Sequence, residues 1–141
     1  MIKFLIHNVI SMEIGIEEIE EVQFSSFRIK LELSLFAFSR ELAYRADDFW
    51  FSPEEWDQFS ANLRSLGDEV RVAELTDLGN EFVLTLALRE AETECDLSVT
   101  IAKNHASQRY GNQLFAKQKS TLSRDELAIL QNAFEGFAKW W

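Results

Sequence analysis

Two segments of the sequence carry the same signal for the start of a helix. Ser52 and Ser123 are each followed three residues later by a glutamate, Glu55 and Glu126. In a capping box of this kind, the serine hydroxyl and the glutamate carboxylate satisfy backbone N–H groups that the first helical turn leaves without partners. Pro53 follows Ser52 at the first helical position, where its missing N–H costs nothing. The sequence therefore predicts two helix N-termini, at residues 53 and 124.

The apolar residues after both starts repeat at steps of three and four, which is the spacing of a one-faced helix. They are Trp56, Phe59, Leu63 and Leu66 in the first segment, and Leu127, Leu130, Phe134 and Phe137 in the second. We expect helices over 53–66 and 124–139, with Trp141 continuing the second apolar face. The shared spacing also raises the idea of a duplicated strand–helix unit, although the flanking segments match poorly.

The segments between the helices alternate between apolar and polar residues, which is typical of half-buried antiparallel strands. The strand predictions cover 2–7, 10–16, 26–36, 38–46, 69–75, 81–89, 94–102 and 114–119. The short connections leave no room for the helical crossovers that parallel strands require. The prediction is a single α+β domain over residues 1–141: a mostly antiparallel sheet of about seven to eight strands, with the two amphipathic helices packed on it.

Composition limits the compartment and the chemistry. The 47 % of hydrophobic residues argues against disorder, and the lone Cys95 is typical of a reducing cytoplasm. The apolar run at the N-terminus is too short for a membrane span. The five glycines are scattered, and the two histidines and one cysteine do not have metal-ligand spacing. We expect no cofactor, no metal and no enzymatic turnover, and we interpret Cys95 as a buried apolar residue rather than a nucleophile paired with His105.

The charge is unevenly distributed along the chain. Residues 1–101 hold 21 acids and 8 bases, whereas residues 102–141 hold 3 acids and 6 bases. An acidic body disfavours nucleic acid and anionic membranes and favours a basic protein partner, because long-range attraction steers opposite charges together. The alternative is that acidity only maintains solubility. Lys103, His105, Arg109 and Tyr110 form one basic, aromatic stretch, but the net charge of −10 argues against nucleic-acid binding there.

The predicted contact surface combines carboxylates with an aromatic anchor. Its members are Glu17, Glu18, Glu20, Glu21, Asp47 and Asp48, with Trp50 or Trp140 as the anchor. Asp47 and Asp48 have two further interpretations: acids near the positive end of a helix, and an acid–base pair.

The order of segments resembles the small bacterial proteins of the WapI immunity type. The resemblance rests on EFVLTL at 81–86, on DFWFSPEEWDQF at 48–59 and on the layout of most of the chain. It implies an intracellular antidote that binds a toxin domain by charge complementarity and steric block, and it implies no catalytic residue. The alternative is a housekeeping interaction module or homodimer without a toxin.

Overall fold

The computed structural model describes residues 1–23, 25–90, 93–105 and 112–141. Within this part of the chain, four strands and a helix occur in the same order twice. The first set is β1 (Ile2–Ile6), β2 (Ile10–Glu20), β3 (Ser26–Ala37), β4 (Arg40–Phe51) and α1 (Pro53–Arg64). The second set is β5 (Val72–Thr76), β6 (Phe82–Leu88), β7 (Glu94–His105), β8 (Asn112–Ser123) and α2 (Arg124–Glu135).

The strands form two separate four-stranded antiparallel sheets, in the orders β1-β2-β3-β4 and β5-β6-β7-β8. The predicted α+β class, the antiparallel pairing and the two helices are confirmed. The sheets exchange helices: α1 follows the first sheet but packs on β5, while α2 follows the second sheet and packs on β1. The repeated element order is the feature that the weak match between flanking segments concealed.

Both predicted helix starts are confirmed. The Ser52 hydroxyl accepts a hydrogen bond from the Glu55 N–H at 3.1 Å. At the second start the bonds are reciprocal, because the Ser123 hydroxyl accepts from the Glu126 N–H at 3.3 Å while the Glu126 carboxylate accepts from the Ser123 N–H at 2.9 Å. The second helix ends at Glu135 rather than at 139, with Gly136 at its C-terminal cap.

The core lies between the inner faces of the sheets and the helices. Phe27, Ile29, Leu31, Leu33 and Leu35 are all buried, as the alternation of β3 predicts. At its centre Trp56 is fully buried, with ring centroids 5.3 Å from Phe27, 5.5 Å from Phe51 and 4.9 Å from Phe137. Trp141 does not continue the helix, but stacks on Phe27 with centroids 4.9 Å apart.

Phe38 differs from its prediction. Alternation placed it on the inner face of a strand over 38–46, but it is fully exposed. Ala37 pairs with Arg40, so Phe38 and Ser39 form a two-residue turn between β3 and β4. Their φ angles are 50° and 61°, both in the left-handed region that such hairpin turns require.

Candidate functional site

The predicted acidic residues lie at two irregularities of the first sheet. Glu17 has no partner in the β2–β3 register, and Asp47 and Asp48 lie where the β3–β4 register shifts between Ile29 and Leu31. The second bulge lets both Ala46 and Phe49 face the core with the acidic pair between them. Glu17, Glu18, Glu20 and Glu21 are exposed near the end of β2.

Several of these carboxylates already have basic partners within the chain. Arg28 lies 3.0 Å from Glu18 and 4.0 Å from Asp47, which brings the two irregularities together. Asp48 pairs with Lys103 of β7, and the Lys103 Nζ also lies 3.3 Å from the Glu81 carboxylate and 4.9 Å from the centre of the Phe49 ring. Burial lowers the pKa of Lys103, but the bonds and charges of Asp48 and Glu81 outweigh it, so the pKa is raised.

The two tryptophans predicted as anchors are each half-buried. Trp50 pairs with Arg28 in the β3–β4 register, and its carbonyl accepts a hydrogen bond from the Leu78 N–H at 2.7 Å. Trp140 packs against the core beside Trp141, with ring centroids 5.5 Å apart. The Lys139 hydrogen bond to Asp57 holds the pKa of that carboxyl below its usual range and fixes this C-terminal segment to α1. The role of either tryptophan in partner contact stays a prediction.

Three basic residues behave differently from the rest of the described chain. Arg40, Lys117 and Lys119 are exposed, and they make no ion pair with any residue that the structure describes. We call them the cationic strip. Sequence reasoning missed them, although the excess of bases in residues 102–141 was the available signal. Arg109 and Tyr110, and the side chain of His105, lie outside the described residues.

Lys117 and Lys119 stand on the outer face of the second sheet. β8 is an edge strand there, and its outward residues are Phe115, Lys117, Lys119 and Thr121. A depression of about 670 Å³ covers this face and is lined by Arg89, both lysines and the hydroxyls of Thr85, Ser98 and Thr121. Arg89 is bound to Asp96 at 3.0 Å and to Glu94 at 3.3 Å. The Phe115 side chain is 69 % exposed.

A second depression lies between β8 and the β3–β4 hairpin. It measures about 410 Å³, and it is lined by Phe38, Arg40, Leu42, Lys117 and their neighbours. The side-chain amide of Gln118 holds the hairpin in place, because it donates hydrogen bonds to the carbonyls of Val9 and Phe36, both at 3.1 Å. Lys117 lines both depressions, so the cationic strip runs across the edge of β8 from one to the other.

The nucleophile and metal chemistry considered for this chain has little support in the described residues. Cys95 is 1 % exposed, and burial raises the pKa of its thiol to about 11. Within the part of the chain that the structure describes, no group of three or more His, Cys, Asp or Glu residues could hold a metal ion. Among the described helices, none combines the length and apolar character needed to cross a membrane.

Comparison with known proteins shows similarity to solved structures alone. No family model and no curated protein matches the chain. WHY3 from Arabidopsis thaliana is 13 % identical, with a TM-score of 0.41 over 89 % of this chain and 78 % of that one. The plant transcriptional regulator PBF-2 is 10 % identical, with a TM-score of 0.41 over 89 % of this chain and 79 % of that one.

These findings correct the functional expectation drawn from the acidic charge. Toxin immunity and a basic toxin partner are wrong for this chain, as is the exclusion of nucleic acid: neither similar structure is described as an immunity protein, and one is a transcriptional regulator. The acidity is also partly neutralised internally, since Glu18, Asp47 and Asp48 face Arg28 or Lys103. The resemblance to WapI-type proteins stays a prediction about kinship. What this chain binds is argued below from its own surface.

Proposed function

We propose that the protein binds single-stranded nucleic acid along the outer face of its second sheet. The observation that carries this proposal is the cationic strip. Lys117 and Lys119 project from one face of β8, exposed and without carboxylate partners in the described chain. A paired cation must give up its carboxylate before it binds a phosphate, whereas these two lysines need not. They therefore supply phosphate contacts at low desolvation cost.

The net charge of −10 limits this binding without preventing it. The Debye length is about 10 Å at 0.1 M salt, so acids on the far side of the protein are largely screened from a strand bound on β8. Direct lysine–phosphate contacts act at much shorter range. We therefore expect modest affinity with a clear salt dependence.

The neighbouring side chains favour a single strand over a duplex. Phe115 is 69 % exposed on the same face of β8 as the two lysines. Exposed aromatic rings stack on unpaired bases, which are inaccessible inside a duplex. The hydroxyls of Thr85, Ser98 and Thr121 in the depression can donate hydrogen bonds to phosphate or sugar oxygens. In this proposal the protein binds without turnover, and it acts in the cytoplasm, where its lone buried cysteine stays reduced.

The competing explanation is that lysines on an edge strand only prevent strand-to-strand aggregation. The test is fluorescence anisotropy with labelled oligothymidine and oligouridine at several salt concentrations. It compares Lys117→Glu/Lys119→Glu with Lys3→Glu/Lys30→Glu. The second variant changes the net charge equally, at exposed lysines of the first sheet that pair with Glu13 and Glu32.

We expect the β8 variant to lose at least about tenfold in affinity and to lower the salt slope by about 2, one for each lost phosphate contact. The control should retain most of its affinity. Equal losses in both variants would show a general charge effect, and absence of binding by the parent protein at low salt would refute the proposal. Aggregation of the β8 variant, with binding by its monomer unchanged, would favour edge protection.

A further inference from the structure

The turn between β3 and β4 has an unusual residue at its tip. Four described residues other than glycine have positive φ: Asn8, Phe38, Ser39 and Asn80. Asparagine is one of the few residue types that tolerate this conformation, and the chain uses it at the other two turns. Phe38 instead places a bulky ring in a left-handed conformation and leaves it 100 % exposed to solvent. Neither the backbone nor burial of the ring explains a phenylalanine here.

The surroundings of Phe38 form a groove that is attached to the proposed binding face. The groove of about 410 Å³ is lined by Phe38, by Leu42, which is 51 % exposed, and by two members of the cationic strip, Arg40 and Lys117. Glu41 is the one carboxylate in its lining. Because Gln118 bonds the hairpin to β8 through two carbonyls, the ring is held at a constant place relative to Lys117.

We propose that Phe38 is a base-stacking residue: a bound single strand crosses the edge of β8, and one of its bases stacks on the Phe38 ring in this groove. This inference rests on the proposed function. Arg40 and Lys117 then contact the phosphates on either side of the stacked base. An aromatic ring between unpaired cations fits a nucleobase with its flanking phosphates better than an apolar protein segment, which offers nothing to the cations.

The exchange Phe38→Asn separates a binding role from a structural one. Asparagine suits the left-handed position, so it should raise the melting temperature while weakening the binding of oligonucleotides. Loss of one base–aromatic stack corresponds to about a 5- to 150-fold loss of affinity. Phe38→Trp should retain binding. Leu78→Ala is the matched control, because Leu78 is a 54 % exposed apolar residue at the turn after β5.

Two readouts complete the experiment. Oligothymidines of about 4 to about 16 nucleotides should gain affinity with length up to a longer limit in the parent than in Phe38→Asn, because the variant loses the far end of the path. A 2-aminopurine base in the strand should be quenched by the parent and by Phe38→Trp, but less by Phe38→Asn.

Each result supports or overturns a particular claim. If the parent binds no oligonucleotide at low salt, the proposed function fails and this inference falls with it. If the parent binds and Lys117→Glu/Lys119→Glu does not, but Phe38→Asn binds equally well, only the stacking role is refuted, and the ring serves a protein partner instead. A lower melting temperature for Phe38→Asn would show that the ring stabilises the hairpin.

Discussion

Replacement of Lys103 by methionine tests whether an internal ion-pair cluster joins the two sheets. Lys103 belongs to β7, its carboxylate partner Asp48 belongs to β4 of the other sheet, and its side chain is only 11 % exposed. Methionine keeps an aliphatic stem against Phe49 but removes the charge from between Asp48 and Glu81. The substitution therefore isolates the electrostatic contribution of the cluster.

The expected cost lies between two limits. Exposed ion pairs contribute about 0.2–1 kcal/mol, whereas removal of one partner from a buried pair costs about 3–5 kcal/mol. Asp48 is 54 % exposed and Glu81 is 32 % exposed, so water can solvate both carboxylates in the variant. We expect Lys103→Met to lower the free energy of unfolding by about 1–3 kcal/mol, and the melting temperature by about 3–10 °C.

Urea titration at several pH values measures this effect, with Lys3→Met as the control. Lys3 pairs with Glu13 at 3.2 Å but is 74 % exposed, so its replacement should cost less than about 0.5 kcal/mol. Because the folded-state pKa of Lys103 is raised, its stabilisation is fully present below the usual lysine pKa of about 10.4 and is lost as the pH rises through the folded value. Equal costs for the two variants, or a difference from the parent that grows with pH, would refute the reasoning.

Three further predictions concern the helix caps, the core and the thiol. Ser123→Ala should destabilise the protein by about 0.5–2 kcal/mol in urea titration, because it breaks the capping box of α2; no change would remove the cap from the account of this helix. Leu33→Ala should cost about 2–5 kcal/mol, whereas Lys30→Ala should stay within about 0.5, and similar values would contradict the observed faces of β3. Cys95, with its pKa raised to about 11, should react with a thiol reagent at pH 8 far more slowly in the folded protein than in urea, and equal rates would place the thiol at the surface.

Local features were readable from the chain because the residues that produce them are close in sequence. A capping box needs residues only three positions apart, so Ser123 and Glu126 identified the start of α2. The side chains of a strand alternate between its faces, so Leu31, Leu33 and Leu35 were correctly placed in the core. Phe38 was misplaced because alternation continues through a two-residue turn without any mark in the hydrophobic pattern.

Only the tertiary structure decided how many sheets form and which charges remain unpaired. Antiparallel strands of one sheet or of two have the same alternation, so the division after β4 has no local signature. Ion pairing depends on distances in space: Lys103 meets Asp48 across 55 positions of sequence, while Lys117 and Lys119 meet no carboxylate in the described chain. Net charge sums over all residues and cannot distinguish paired from unpaired groups. Folding brings most of the acids and bases together, and the few cations that remain unpaired then define the exposed surface on β8.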